Sequence, residues 1–125
     1  MNIIPYYINL DFRLDRKFLL EREFAKMNIK PVRFPAILHK DGLTGCLMSH
    51  IKVLETCEVD SDILWICEDD VEFLVDRPSL DKYIKLFLDS SADILCLGYN
   101  SNNNKPYSEG LLRTRDTQTA SSYII

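Results

Sequence analysis

The chain has 125 residues, of which 46% are hydrophobic and 27% are charged, and its formal net charge is −4. This composition is that of an ordinary globular protein, and the length fits one domain, which we place at residues 1–125. The acidic balance and the lack of a basic stripe argue against nucleic-acid binding. No apolar stretch is long enough to predict a transmembrane segment.

The four cysteines are not arranged as C-x-x-C pairs, so the sequence does not predict a zinc ribbon or a redox motif. Three of them lie in apolar stretches, where buried thiols are expected. The first residues, Met1 to Pro5, show neither the basic start nor the apolar segment of a secretory signal. We therefore expect a cytoplasmic protein.

The first third of the chain predicts a strand, a helix and a second strand. Residues 3–10 are apolar and β-branched or aromatic, which favours a strand. Between residues 14 and 27 the apolar spacing becomes helical, and Asn28 provides a stop. A short strand is predicted at 31–34. The apolar stripe of the helix consists of Leu20, Phe24 and Met27.

A second helix is predicted from a cap at Thr44 to about Cys57. Residues 63–67 then form a continuous apolar run, which is typical of a strand covered on both faces in a parallel sheet. This strand ends abruptly at Glu68. The apolar stripe predicted for the second helix consists of Leu47, His50, Ile51, Leu54 and Cys57.

The remaining sequence predicts a short extended piece at 71–74, a helix that begins at Pro78, a strand at 93–98, a loop at 100–105 and a strand at 120–125. Strands thus alternate with helices, so we predict an α/β fold with a largely parallel sheet flanked by helices. Because a natural terminus rarely stops inside an apolar strand, we expect the fold to be incomplete at its C-terminus.

Three consecutive carboxylates, Glu68, Asp69 and Asp70, follow the apolar strand directly. Ligands of open α/β sheets bind beyond the carboxyl ends of the strands, and carboxylates suit hard ions such as magnesium and manganese. Side chains alternate along extended backbone, so Glu68 and Asp70 are predicted to share one side as metal ligands, with Asp69 on the other. The alternative is a polar turn without a ligand.

Two further segments are candidates for ligand contact. Arg13 and Arg16 follow the first strand, where a helix N-terminus and guanidinium groups can bind phosphate. The alternative is a salt-bridged helix surface. Gly42 and Gly45 permit close approach of the backbone to a ligand, although the segment matches neither a Walker A loop nor a dinucleotide fingerprint.

The two histidines and the cysteines are less informative. His50 lies on an apolar stripe, so a hydrogen-bonded core histidine is the favoured interpretation, with nucleotide or metal contact second. His39 is expected at the surface. None of the cysteines lies in the electropositive setting that a nucleophile needs.

The ordered set of motifs resembles glycosyltransferase family 25, which includes bacterial lipopolysaccharide and lipooligosaccharide galactosyltransferases and the collagen galactosyltransferases. Weaker matches at 93–98 and 119–125 extend the resemblance over nearly the whole chain. The principal matching blocks are Tyr7-Ile8-Asn9-Leu10 with Arg13 and Arg16, Gly45-Cys46-Leu47-Met48-Ser49-His50, and Glu68-Asp69-Asp70-Val71.

The resemblance implies a GT-A fold, which is a Rossmann-like nucleotide-sugar-binding fold. It also implies transfer with inversion from a UDP-sugar, often UDP-galactose, to a glycan or glycosylated protein acceptor. Glu68 and Asp70 would bind Mn²⁺ (or Mg²⁺) in place of the family's D-x-D motif. Family members are usually longer, and no catalytic base is identified here. The implied nucleotide-binding residues are Asn9, Arg13, Arg16, Ser49, His50 and Asp69.

Two alternatives remain open. The chain is either an active transferase domain or a truncated or degenerate one that binds nucleotide without catalysis. A receiver-like signalling domain also gathers acidic residues around magnesium, but it needs an acidic pair after the first strand and a lysine after a late strand. The corresponding segments here are Asn9-Leu10-Asp11 and Gly98-Tyr99-Asn100.

Overall fold

A computed structural model describes residues 3–57, 63–98, 103–108, 110–115 and 120–125. Within these ranges the chain forms three helices and seven strands. The helices are α1 (Leu14–Lys26), α2 (Gly42–Cys57) and α3 (Arg77–Leu88). The strands are β1 (Pro5–Asn9), β2 (Val32–Pro35), β3 (Trp65–Glu68), β4 (Leu95–Cys96), β5 (Asn103–Ser108), β6 (Leu111–Arg115) and β7 (Ser122–Ile124).

Five of the strands form one sheet in the order β2-β1-β3-β7-β4. Strand β1 pairs in parallel with β2 and with β3, whereas β7 pairs antiparallel with β3 and with β4. Four strands therefore run in one direction and β7 runs in the other. The predicted α/β class with a largely parallel sheet is confirmed. The antiparallel direction of β7 was not predicted.

The sheet is covered on both faces, as the alternation of its buried side chains requires. Tyr7, Trp65 and Cys67 face one side, where residues of α1 and α3 complete the larger core. Ile8 and Ile66 face the other side and pack with residues of α2. The continuous apolar run that ends at Glu68 is thus explained by burial on both faces.

Helix α1 forms where the helical spacing predicted it. Its stripe of Leu20, Phe24 and Met27 is buried, and the chain leaves the helix at Asn28, whose φ of 54° is left-handed. Asparagine tolerates this conformation better than most residues. The helix end is also held by Arg77, whose Nη1 donates to the carbonyl of Met27 at 2.7 Å.

Helix α2 differs from the prediction in its start and in its buried face. It begins at Gly42, and the side chain of Asp41 accepts hydrogen bonds from the Leu43 N–H and the Thr44 hydroxyl. The predicted apolar stripe was wrong for Leu47 and Ile51, which are 60% and 45% exposed. Small and polar residues occupy the buried face instead, because the helix backbone lies close to residues 37–39. The buried residues are Gly45, Ser49, His50 and Val53.

The second half of the chain departs further from the prediction. The extended piece predicted at 71–74 joins no sheet, and the predicted strand at 93–98 is reduced to Leu95–Cys96. The loop predicted at 100–105 was wrong for 103–105, which belong to the β5–β6 hairpin, and 100–102 lie outside the described residues. Strand β7 is confirmed within 120–125.

All four cysteines are free thiols, of which Cys67 is buried. Among the helices in the described part of the chain, none combines the length and the apolar character needed to cross a membrane.

Candidate functional site

A cavity of about 270 Å³ lies at the carboxyl ends of β1 and β3. The parallel register pairs Ile8 with Glu68 and so brings these two strand ends together. The start of α1, the segment after β2 and the first half of α2 complete the walls. The lining residues are Ile8, Leu10, Arg13, Arg16, Ala36, Ile37, Leu38, His39, Gly42, Gly45, Cys46, Ser49, Glu68 and Asp69.

The three consecutive carboxylates do not alternate as the sequence predicted. Glu68 is the last residue of β3, and Asp69 and Asp70 form a turn. Glu68 and Asp69 both line the cavity, whereas Asp70 is exposed and lies outside the lining. The expectation that Asp69 points away was therefore wrong, because strand periodicity ends where the turn begins.

Asp69 is held by residues at the end of β1 and in α1. Its Oδ2 accepts a hydrogen bond from the Asn9 Nδ2 at 2.9 Å, and its Oδ1 accepts one from the Arg16 Nη1 at 3.2 Å. Only 12% of the Asp69 side chain is exposed. Asn9 and Arg16 thus contact the acidic turn after β3 directly, although the two segments are far apart in sequence.

Both arginines predicted at the site line the cavity, and both are ion-paired. Arg13 makes a two-bond contact with Asp15, at 3.0 Å from Nε and 2.9 Å from Nη2. The hydrogen bond from Arg13 lowers the pKa of Asp15 to about 2. Arg16 pairs with Asp69, and its side chain is 43% exposed. Each guanidinium group therefore both lines the cavity and pairs with a carboxylate.

Arg33, for which the sequence predicted no role, supports the same network. Its Nε donates to the side-chain oxygen of Asn9 and its Nη2 to the backbone oxygen of Asn9, both at 2.9 Å. Its second partner is Asp11, at 2.7 Å. The parallel pairing of β1 with β2 places Arg33 here, and a single strand's sequence carries no signal of that pairing.

His50 is buried, at 8% exposure, and its ring contacts Glu68. Its Nε2 is 3.2 Å from Oε1 of Glu68, and its Nδ1 is 2.9 Å from the Tyr123 hydroxyl. This fits the interpretation of a hydrogen-bonded buried histidine. The contact with His50 lowers the pKa of Glu68 against the opposing effect of desolvation, and the Cys46 thiol adds to the lowering.

Ser49 fixes one wall of the cavity. Its hydroxyl accepts the Ile37 N–H at 2.8 Å and donates to the Gly45 carbonyl at 2.7 Å. A Cβ at Gly45 would lie 2.9 Å from the Ile37 oxygen, so this glycine permits the close contact. His39, expected at the surface, is half-buried in this wall, and its Nδ1 accepts the Asp41 N–H.

Cys46 also faces the acidic strand end. Its Sγ lies 3.4 Å from Oε1 of Glu68. Desolvation, reinforced by the negative charge of Glu68, raises the pKa of this thiol to about 11. Cys46 therefore lacks the lowered pKa that a cysteine nucleophile needs.

A larger cavity, of about 640 Å³, lies between β4, the residues before it and the β5–β6 hairpin. Among the described residues, it contains none of those that the sequence analysis assigned to a site. The smaller cavity combines the carboxyl ends of parallel strands with clustered charges, which are the features expected of a ligand site in this class of fold.

No protein-family model matches this chain, and no curated protein sequence matches it significantly.

Proposed function

We propose that this chain is the nucleotide-binding part of a metal-dependent glycosyltransferase, which transfers a sugar from a UDP-sugar to a hydroxyl of a glycan or protein acceptor with inversion. The observation that carries the proposal is the contact of Asn9 and Arg16 with Asp69 beside a cavity at the strand ends. The resemblance to glycosyltransferase family 25 supports the choice of a nucleotide-sugar, and the mixed α/β sheet is compatible with a GT-A fold.

The start of α1 is suited to a diphosphate. Arg13 occupies the N-cap position, and its own side chain does not cap the helix. The first N–H groups of a helix lack intrahelical partners and favour anions. Arg13 and Arg16 add two positive charges at the same wall. A bound phosphate would compete with Asp15 for Arg13, which is a favourable exchange only for a strongly charged ligand.

The acidic strand end is suited to a divalent cation. Glu68, Asp69 and Asp70 are consecutive, and Arg16 is the cation paired with Asp69. Within the described residues, Asp70 has no hydrogen-bond or ion-pair partner. Its carboxylate and that of Glu68 offer the oxygen donors that manganese and magnesium prefer. Glu68, which lines the cavity, would hold the ion together with Asp70, which lies outside the lining but whose charge helps to raise the pKa of the cavity residue Cys46. The ion when bound would neutralise charge on the diphosphate.

The other residues of the site position the donor. Asn9, which is itself held by Arg33, donates to Asp69 in the cavity lining, and Ser49 fixes the wall formed by residue 37. Arg13 and Arg16 would stabilise the charge that develops on the departing nucleoside diphosphate. An inverting displacement also needs a base for the acceptor hydroxyl, and we assign none.

The receiver-like alternative is less well supported. Receiver domains belong to the doubly wound class with the parallel order 2-1-3-4-5, whereas this sheet has the antiparallel β7 between β3 and β4. The alternative of a nucleotide-binding domain without turnover shares every feature of the site. Hydrolysis of UDP-sugars by the purified chain separates it from an active transferase.

Binding of UDP, measured by calorimetry with and without Mn²⁺, tests the proposal. We expect Asp70→Asn to lose the metal-dependent part of the affinity, roughly tenfold, and Arg16→Ala to weaken binding with and without metal. Glu72→Gln and Lys17→Ala are matched controls, since neither residue lines the cavity or belongs to the proposed metal ligands. Unchanged affinity of both Asp70→Asn and Arg16→Ala would reject the proposed site.

A further inference from the structure

Three side chains of different chemistry converge beside the cavity. Cys46 and His50 are four residues apart on α2, so they share one helix face, and Glu68 ends the adjacent strand. One ligand atom from each lies within 4.8 Å of the other two. We infer that Cys46, His50 and Glu68 form a binding site for zinc, or for a divalent ion of similar softness such as cobalt.

The distances fit a tetrahedral ion. Bonds of roughly 2.0–2.3 Å to zinc place tetrahedral ligands roughly 3.3–3.7 Å apart. His50 Nε2 is 3.2 Å from Glu68 Oε1, and Cys46 Sγ is 3.4 Å from the same oxygen. Two of the three spacings are therefore already close to those of a metal site, and the third, between the ligand atoms of Cys46 and His50, is at most 4.8 Å.

The donor set selects the kind of ion. Thiolate and imidazole are ligands that zinc accepts readily, whereas manganese and magnesium prefer oxygen. One sulfur, one nitrogen and one carboxylate make a three-ligand site with a fourth position left for an exchangeable group. Cys46 and Glu68 line the cavity, so that fourth position faces a space where a water molecule or an anion can enter.

Tyr123 provides the support that metal-binding histidines need on their second ring nitrogen. Its hydroxyl lies 2.9 Å from His50 Nδ1, and the two rings stack at 5.7 Å between centroids. A hydroxyl can donate or accept, so Tyr123 can accept an Nδ1–H when Nε2 binds metal. The ring is thereby oriented with Nε2 toward Glu68.

This inference does not rest on the proposed transferase activity, although the two share Glu68. Zinc bound to Cys46 and His50 would also bind Glu68, the carboxylate that is proposed to hold manganese. Zinc is therefore expected to weaken manganese-dependent UDP binding. Zinc binding itself is measured without nucleotide. Failure of the zinc-binding proposal can therefore be distinguished from failure of the proposed transferase function.

The test is titration of the purified, reduced chain with Zn²⁺ against a chromogenic chelator, and with Co²⁺ followed by absorption spectroscopy. We expect one ion per chain and a thiolate-to-cobalt charge-transfer band that disappears in Cys46→Ser. Tyr123→Phe, which keeps all three ligands, should weaken zinc binding by roughly 10- to 100-fold. Cys96→Ser is the matched control, because Cys96 lies on β4 and lines the other cavity.

Circular dichroism of each variant verifies folding, and Cys46→Ser is a conservative change that keeps a side chain of similar size. A cobalt complex without the thiolate band, or zinc affinity equal in wild type and Cys46→Ser, would overturn the assignment. Those results would leave the three residues as a hydrogen-bonded cluster only.

Discussion

The Asn9 side chain donates to the Asp69 carboxylate at 2.9 Å across the carboxyl ends of β1 and β3, between residues 60 apart in sequence. Asn9 is 1% exposed, and its amide group also contacts Arg13 and Arg33. This one buried side chain therefore joins the start of α1, the second strand and the acidic turn.

Replacing Asn9 by Ala is expected to lower the free energy of unfolding by about 1–3 kcal/mol, because it leaves buried hydrogen-bonding groups of its neighbours without partners. Urea unfolding followed by fluorescence of Trp65 measures the change. Asp11→Asn is the control: it alters the exposed partner of Arg33 and should change stability by no more than about 0.5 kcal/mol. Equal stability of the two variants would contradict the role of Asn9.

Gly45 and Gly42 provide a matched pair on one helix. A Cβ at Gly45 would lie 2.9 Å from the Ile37 oxygen and 3.2 Å from the His39 Cβ, whereas a Cβ at Gly42 meets nothing within 4 Å. We expect Gly45→Ala to destabilise the fold by about 1–3 kcal/mol and Gly42→Ala to stabilise it by about 0.4–1 kcal/mol. Thermal unfolding of both variants checks the contrast, and a Gly45→Ala variant as stable as wild type would refute the tight contact.

Glu23 gives a prediction for the acid range. Desolvation opposes ionisation of this side chain, but the Phe73 N–H at 2.9 Å and Lys26 at 3.0 Å outweigh it and lower the pKa of Glu23. A lowered folded-state pKa means that ionised Glu23 stabilises the fold above its unfolded-state pKa. This contribution is lost as the pH falls through the folded-state pKa.

The stability difference between wild type and Glu23→Gln should therefore be largest near neutral pH and should shrink below a pH of about 4.3, the ordinary pKa of glutamate. Urea unfolding across this range measures it. Glu55→Gln, on an exposed part of α2, controls for the change in net charge, because it also removes one negative charge. A Glu23→Gln difference that stays constant from neutral to acid pH would contradict the ion-pair and hydrogen-bond account.

The sequence predicted those features that depend on local periodicity. The stripe of Leu20, Phe24 and Met27 was correct because these apolar residues recur at helical spacing and so share the face of α1 that is buried. The strand before Glu68 was correct because its run is uniformly apolar and is buried on both faces. That the strand ends meet at a cavity followed from the general behaviour of parallel sheets.

The features that were missed depend on contacts between distant segments. The apolar spacing predicted Leu47 on the buried face of α2. That face instead carries Gly45 and Ser49, because the helix lies too close to the backbone of residue 37 for large side chains. Arg33 enters the site through strand pairing, which sequence alone does not specify. The four-residue spacing of Cys46 and His50 was visible in the sequence, although their shared contact with Glu68 was not.

The β5–β6 hairpin was missed for a different reason. Its first strand contains polar residues and lies exposed over 104–108, so it shows no alternation of buried and exposed positions. Pairing with β6 stabilises it, and a polar strand of this kind resembles a loop in its composition.

The most direct test of the account is a nuclear magnetic resonance spectrum of the ¹⁵N-labelled chain with UDP and Mn²⁺, because the unpaired electrons of manganese broaden nearby amide signals. We predict UDP-dependent broadening of Gly45 and Asp69, little effect at Tyr83 and Leu112 of the larger cavity, and no such broadening when Mg²⁺ replaces Mn²⁺. Broadening centred on Tyr83 and Leu112, or no UDP-dependent change at Gly45 and Asp69, would contradict a metal-assisted nucleotide site at the ends of β1 and β3.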